Sequence, residues 1–341
     1  MMERQFPPNK LKEIDIKSAS NFMSLIKDSR ESKFTLVLGA GVSASAGVPQ
    51  WKELLKKICS AFFSHWEMDN ELNNPPKNLS IALTDPFFWS DESIKYGNKF
   101  SEDDLLLVAQ QIKNCIRDLD WIYLLRHCLY DGIEYIPQTS KLIESIAELR
   151  ANNADKIKAI INYNYDNLFE SALKAKGVKY NYAWFDKKYN NKNESIPIYH
   201  PHGILPIEGY IKSNVIIAES DYHKETMEPY SGSNLVQIQY LCNSTCIFFG
   251  TSMRDPNLRR LLRISSSISP NKHYAFLTQS GNKDNYYTMY DSLFDNDLIQ
   301  LGVKTIRYKK QLDSTDIYIK LPELINILDK SLKNKEFVWE K

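Results

Sequence analysis

Four short segments carry residue types that could do chemistry: GAGVS at 39–43, INYNYDNLFE at 161–170, YHPHG at 199–203 and FFGTSMRDPNLRRLL at 248–262. Each puts glycine or polar side chains directly after an apolar run, the place where open α/β sheets bind ligands. In the first, Gly39, Gly41 and Gly47 follow the β-type run Phe34–Leu38 and precede a helical pattern, Trp51–Phe63. Strand, glycine turn and helix together bring backbone N–H groups close to a phosphate. Glycine permits positive φ and leaves no Cβ between backbone and ligand. With Ala40 and Ser43, the turn predicts a dinucleotide site at one edge of a parallel sheet. The spacing departs from the dehydrogenase fingerprint G-x-G-x-x-G, because Val42, Ser43 and Ala44 separate Gly41 from the next glycine. The acid expected about twenty residues on, at the end of a second strand, is also missing. Position 59 is Cys59, and Glu53 lies inside an apparent helix. Hydride transfer on an ordinary Rossmann half is disfavoured.

In the second segment Asn164 and Asp166 follow an apolar run. Asp166 reads first as a helix cap, with Asn167 inside the helix and Leu168 and Phe169 opening its buried face. Asn164, a neutral amide, can orient a water or a ribose hydroxyl without adding charge against a developing cation. In the third, His200 and His202 alternate on an extended segment, since Pro201 disfavours helix for its predecessor. A metal pair is one reading, but neither HExxH nor paired CxxC accompanies it. His200 reads as a core histidine. His202, next to the flexible Gly203, is placed to reach a ligand, and an ordinary imidazole pKa of about 6.5 suits proton transfer near neutrality. In the fourth, Gly250, Thr251 and Ser252 leave a buried run, with hydroxyls able to bind ribose or phosphate. Asp255-Pro256 reads as N-cap plus first-turn proline, and Arg259 and Arg260 as surface residues.

The elements that must position these residues alternate. Strands are expected at 34–38, 156–161, 196–199, 215–218, 246–249, 274–277 and 303–308, and helices at 14–29, 51–63, 166–175, 256–264, 286–298 and 321–332. Such alternation predicts an α/β fold, a Rossmann-like parallel sheet with helices on both faces. Residues 1–13 read as an N-terminal arm, 14–341 as the nucleotide-binding domain, and about 60–155 as a mainly helical insertion. Within it, 64–102 reads as irregular, 103–130 as one helical stretch and 140–150 as another. The last residues, KNKEFVWEK, read as a solvated tail.

Lys and Arg number 43 against 42 Asp and Glu, so no global charge draws the chain to nucleic acid or to anionic membrane. No apolar run approaches the ~18 residues of a membrane helix, and the N-terminus lacks the apolar core of a secretory signal. Five cysteines without framework spacing point to reduced thiols in a cytoplasmic protein.

Taken together and in order, the four segments resemble the sirtuin-like (SIR2-like) family, in particular its bacterial anti-phage NAD+ hydrolase branch. GAGVSASAGVP resembles the family's NAD-binding loop, INYNYD its Thr-Gln-Asn-x-Asp motif, HG its catalytic histidine, and GTS-x-x-DPNLRRLL its ribose-contacting turn. The resemblance implies Asn164 and His202 as the catalytic pair. It implies NAD contacts from Gly39, Ala40, Gly41, Ser43, Gly47, Asp166, Gly250, Thr251 and Ser252. NAD would then be a substrate, cleaved to nicotinamide and ADP-ribose. Departures also inform. The deacylase branch carries a zinc ribbon of two CxxC pairs; here Cys242 and Cys246 are three residues apart and Cys59, Cys115 and Cys128 have no near partner, so no zinc is expected. Gln50, Trp51 and Lys52 follow Pro49 where deacylases have Asp-Phe-Arg, and Tyr163 replaces the usual Gln. A protein deacylase or ADP-ribosyltransferase is the second reading, and a non-catalytic NAD or ADP-ribose sensor the third. The resemblance further implies a regulated defence effector that depletes NAD+. Self-association into a homo-oligomer, or a companion ATPase or sensor protein acting as activator, is expected at the helical insertion, whose plainer reading is a lid on the core.

Overall fold

Continuous runs of Val, Ile, Leu and Phe suit strands that are covered on both faces. The computed structural model, which describes residues 14–68, 96–130, 140–183, 195–209, 214–269, 272–280, 285–309 and 319–333, places them in one seven-stranded parallel sheet. The strands are β1 (Phe34–Leu38), β2 (Ile157–Asn162), β3 (Tyr180–Tyr182), β4 (Ile196–Tyr199), β5 (Thr245–Phe249), β6 (His273–Thr278) and β7 (Val303–Tyr308). Their order is β3-β4-β2-β1-β5-β6-β7, with every pairing parallel. This is the Rossmann-like α/β arrangement expected.

The helices are α1 (Ile16–Glu31), α2 (Ala40–Ala44), α3 (Trp51–Met68), α4 (Glu102–Cys115), α5 (Asp118–Tyr130), α6 (Lys141–Asn152), α7 (Leu168–Ala175), α8 (Glu219–Met227), α9 (Gly232–Asn243), α10 (Pro256–Ile268), α11 (Asn285–Gln300) and α12 (Leu321–Lys333). Alternation along each strand feeds two cores. Leu36, Leu38, Ile247 and Phe249 face a core shared with α1, α3, α6, α7 and α12. Val37, Phe248 and Ala275 face the other, with Leu241 of α9, Leu258, Leu261 and Leu262 of α10, and Leu298 of α11. Both sides of the sheet are therefore sealed by helices. Helices α4 and α5 pack on α3, whereas α6 packs on α12 and α7.

Several elements differ from expectation. Val215–Ala218 is buried but is not a strand. Its backbone groups find partners in loops instead: Ile216 N–H donates to the His202 carbonyl (3.0 Å), and the N–H groups of Ile217 and Ala218 reach the Asp221 carboxylate (3.3 and 3.0 Å). The stretch 103–130 is two helices, because Ile116 is extended (φ −113°, ψ 163°); the apolar period runs on across the break and hides it. Helix α7 starts at Leu168 with Asn167 at the cap, not inside. Residues 64–68 continue α3 rather than being irregular, and a 3₁₀ turn follows at Gly97–Lys99. The expected arm at 1–13, residues 69–95 and the tail from 334 lie outside the described residues.

The sheet's ladder does not stop where β1 and β5 end. Gly39 N–H donates to the Phe249 carbonyl (2.9 Å) and Gly41 N–H to the Gly250 carbonyl (2.7 Å), so two loops meet backbone to backbone. A Cβ on Gly39 would lie 2.7 Å from Thr251 Cα. A Cβ on Gly250, whose φ is +63°, would lie 2.5 Å from Val42 N. Gly47 also has positive φ (+89°) but faces open space. Overpacking costs about 1–3 kcal/mol and a left-handed non-glycine about 1–2 kcal/mol. Gly250→Ala meets both penalties and should lose about 2–5 kcal/mol, whereas Gly47→Ala meets only the conformational one and should lose about 1–2 kcal/mol. Denaturant unfolding followed by circular dichroism orders the two; equal midpoints would remove the interlock as the reason for glycine at 250.

Candidate active site

The chain runs from β1 to β2 on one side and later returns to β5 on the other, so the carboxyl ends of β1 and β5 flank a topological switch point. The glycine turn and Gly250 sit there. The turn differs from an open amide cradle, since the N–H groups of Gly39 and Gly41 are taken by the loop after β5. Ala40, at the exposed apex, has an N–H that donates to none of the described residues. Ser43 is buried, and its hydroxyl lies beside the Asp166 carboxylate. Across the crevice, Thr251 Oγ1 accepts from Met253 N–H (3.0 Å) and so holds the loop in which buried Met253 takes φ +55°. Ser252 is exposed and leaves its hydroxyl open.

Asn164 follows β2 and is buried. Its Nδ2 donates to the Gly39 carbonyl (3.1 Å) and to Asn162 Oδ1 (2.9 Å). Both neighbours are acceptors, which fixes the orientation of the amide. Its Oδ1 makes no hydrogen bond to a described residue. Asn162 Oδ1 also accepts the Asn164 backbone N–H (3.1 Å), and Asn162 Nδ2 reaches Glu170 Oε1 (3.3 Å) on α7. His200 closes the circuit: Nδ1 bonds the Asn164 carbonyl and Nε2 bonds Glu170 Oε1, each at 2.9 Å. His200 is therefore the core histidine expected from its sequence position.

His202 lies one residue past Pro201, in a turn closed by Gly203 N–H donating to the His200 carbonyl (3.1 Å). Its ring is half-buried among aromatics: edge-on to Tyr163 with centroids 5.0 Å apart, tilted against Tyr165 at 6.4 Å, and edge-on to Tyr222 of α8 at 6.3 Å. Trp51 stands edge-on behind Tyr222 at 6.4 Å. The phenols are anchored from outside, Tyr165 on the Ile216 carbonyl (2.6 Å) and Tyr163 on Gln237. Neither ring nitrogen of His202 bonds to a described residue, so both are available to a ligand.

Burial lowers the His202 pKa from its ordinary value, and the Asp255 charge partly opposes this. The imidazole is thus neutral near pH 7, the form that accepts a proton. Burial raises the Asp166 carboxyl, offset in part by the Ser43 hydroxyl and by the Leu168 N–H that Asp166 Oδ1 accepts (3.0 Å). Asp255 caps α10 as expected, Oδ1 accepting Leu258 N–H (2.6 Å), and also carries the negative charge that acts on His202. Arg259 and Arg260 are not idle surface residues: Arg259 bonds the Met253 carbonyl (3.2 Å) and Asp297, and Arg260 bonds Asn257 (2.6 Å). No disulfide joins any of the five cysteines, and burial pushes Cys59 and Cys246 up to about 12. Among the described residues no cluster of three His, Cys, Asp or Glu could hold a metal.

The fold thus gathers the four segments at one end of the sheet. Asn164 is clamped to the glycine turn, while His202 lies against the two tyrosines that flank Asn164 in sequence. Missed in the sequence were Tyr165, Tyr222, Asn162 and Glu170. The alternation Asn162-Tyr163-Asn164-Tyr165 was the available signal, amides to one side and rings to the other; nothing marked Tyr222, which comes from an unforeseen helix.

These features define a doubly wound α/β protein with the four segments gathered at its switch point. Residues 158–296 match the family model of the SIR2-like domain. That stretch includes the Asn164, His202 and Gly250 segments and begins after the glycine turn. The chain is 26% identical over 257 residues to Defense-associated sirtuin 2 of Bacillus subtilis, covering 74% of this chain and 22% of that protein. It is 24% identical over 310 residues to NAD(+) hydrolase ThsA of Acinetobacter baumannii (strain 532279), covering 86% of this chain and 54% of that protein. The chain therefore spans about a fifth and about half of the length of these curated relatives.

The electrostatics give a signed prediction. Asp255→Asn keeps a capping side chain but removes the charge that supports imidazolium, so the His202 pKa should fall further below its ordinary value of about 6.5. Histidine NMR titration of the ligand-free protein reads this directly; a pKa that rises or stays fixed would separate Asp255 from His202.

Proposed function

We propose that this chain is an NAD+ glycohydrolase, cleaving NAD+ to nicotinamide and ADP-ribose. The observation that carries the reading is His202: a neutral imidazole with both nitrogens free, set on the tyrosines that flank an asparagine held against the glycine turn. The SIR2-like domain and the similarity to a protein named as an NAD(+) hydrolase support it.

The N-glycosidic bond of NAD+ joins ribose to a cationic nicotinamide. When it breaks, the bonding pair stays with nicotinamide, which becomes neutral, and the ribose passes through an oxocarbenium-like state. A water then adds at C1′ and loses a proton. In this reading the Asn164 amide, its Nδ2 fixed on Gly39, presents its free Oδ1 to water and ribose hydroxyls. His202 accepts a proton from a ribose hydroxyl. The exposed Ala40 N–H, Ser43 and Ser252 contact the phosphates and sugars, Gly39, Gly41, Gly47 and Gly250 give the backbone its shape, and Thr251 braces the loop. Asp166, buried beside Ser43, offers a carboxyl oxygen to accept the amide N–H of nicotinamide. The aromatic wall excludes stray water. The similarity to a defence-associated sirtuin supports a role in anti-phage defence by NAD+ depletion in the cytoplasm, with self-association and a companion activator.

Asn164→Ala and His202→Ala should each retain the circular-dichroism spectrum and lose about 10²–10⁴-fold in kcat. Chromatography of products from NAD+, with and without an acetyl-lysine peptide, identifies the reaction. Free ADP-ribose marks hydrolysis, acetyl-ADP-ribose a deacylase, and binding without turnover a sensor. Full turnover by both variants would remove the mechanism.

A further inference from the structure

We propose that Glu170 and His200 form a positioning pair for Asn164, holding it from both sides through one buried carboxylate. The proposal rests on the reading that Asn164 serves NAD+ cleavage. Glu170 is 0% and His200 5% exposed, so neither is placed to touch a substrate from solvent. The Asn164 carbonyl can only accept, so His200 Nδ1 carries a proton, and Nε2 faces Glu170 Oε1 at 2.9 Å. From the same oxygen a second branch runs through Asn162 to the Asn164 backbone N–H and Nδ2. The main-chain carbonyl, main-chain amide and side-chain amide of Asn164 therefore all trace back to Glu170. Only Oδ1 is left unbound.

A buried ion pair is a poor stabiliser, since desolvation offsets the attraction and apolar residues of similar volume often do as well. What this pair supplies is geometry. Two N–H donors on one imidazole satisfy two acceptors only when His200 is protonated. Among the described residues, the groups facing it are Glu170 of α7, Asp166 after β2, the Tyr182 ring of β3 at 5.9 Å and the Asn164 carbonyl, none of them a cation. Tyr130 of α5, near both carboxylates, is held as a neutral phenol. Burial opposes the charge on His200, but Glu170, its hydrogen bond, the Asn164 carbonyl and Asp166 outweigh it, and the pKa is raised. The doubly bonded state is complete below the ordinary pKa of about 6.5 and is lost as pH rises through the raised one. Neutral imidazole keeps one N–H, for Glu170 or for Asn164 but not both. An alkaline limb of the reaction then belongs to His200.

The test compares wild type, Glu170→Gln, His200→Asn and His200→Leu in the full chain. His200→Asn keeps a donor near the Nδ1 position and does not titrate. Displacing a positioned group by about 1 Å can cost on the order of 10²-fold. His200→Leu should lose about that in kcat with little change in the KM for NAD+, and His200→Asn should recover much of it and lack the alkaline limb. Glu170→Gln, nearly isosteric, should move that limb to lower pH. In the ligand-free protein, ¹⁵N-Asn NMR should show faster hydrogen exchange of the Asn164 side-chain amide in His200→Leu, restored in His200→Asn. Unchanged exchange in all three variants overturns the pair whatever the activity. Altered exchange in a protein that cleaves no NAD+ keeps the pair and rejects the enzymatic reading. If His200→Leu does not fold, an alkaline limb identical in wild type, His200→Asn and Glu170→Gln overturns the proposal.

Discussion

The site depends on a contact with no side chains in it, the backbone-to-backbone meeting of the turns that leave β1 and β5. Gly39 and Gly41 donate to Phe249 and Gly250, and the missing Cβ atoms at 39 and 250 are what allow the approach. The usual account of such a turn has glycine making room for a phosphate. Here glycine first makes room for another loop. That shuts the crevice at its floor, leaving Ala40 at the apex and the Gly39 carbonyl turned toward Asn164. One glycine thus fixes the distance between strands and the orientation of the amide beside it.

Around that floor the residues divide by polarity. On one side, Asn162, Asn164, His200 and Glu170 form a buried hydrogen-bonded circuit that converges on Glu170 Oε1, while Glu170 Oε2 bonds to none of the described residues. On the other, His202 meets Tyr163, Tyr165 and Tyr222, whose phenols are anchored away from it. Two histidines separated by one proline therefore have opposite electrostatics. The carboxylate neighbours of His200 raise its pKa against the effect of burial, whereas burial lowers that of His202. The segment is not the extended stretch expected but a turn closed by Gly203 N–H on the His200 carbonyl (3.1 Å), and this turn sends the two rings to different sides.

The strands were legible because burial on both faces demands uninterrupted apolar runs, and β4 and β7 fall where the sequence puts them. Strand β3, Tyr180–Tyr182, escaped notice as an edge strand of three residues with polar Asn181 between two rings. Helices α8 and α9 escaped because their periodicity is weak: α8 buries no residue, and α9 buries Ser233, Asn234 and Gln237 alongside Leu241. Apolar periodicity finds helices that pack by hydrophobic contact. These two are held by polar ones, such as Asn234 Nδ2 on the carbonyls of Glu225 and Glu228. At the site, the chemistry-bearing positions could be named from residue types at strand ends. Their supports could not, since Glu170 reads as an ordinary helix residue until β4 brings His200 against it.

The helices over the site act on the same loop from outside. Tyr130 of α5 donates to the Leu205 carbonyl (2.6 Å), and Arg126 reaches the carbonyls of Gly209 (2.9 Å) and Ile207. Lys113 of α4 pairs with Asp221 (2.7 Å), the carboxylate that also gathers the amides of Ile217 and Ala218. Tyr222, the next residue, is part of the wall around His202. Residues 203–209 and 214–222 are therefore held between the sheet, through His200 and Tyr165, and helices α4 and α5. Ion pairs of this kind contribute little to stability; their consequence here is to tie α4 to the residue beside Tyr222, while α5 bonds the loop after Gly203. The His202 ring makes no hydrogen bond to the described residues, so its place is set by the Ile216 N–H on its own backbone carbonyl (3.0 Å) and by its packing on Tyr163, Tyr165 and Tyr222. Helices α4 and α5 thus bond the segments that carry Tyr222 and follow His202, although they supply none of the four motifs.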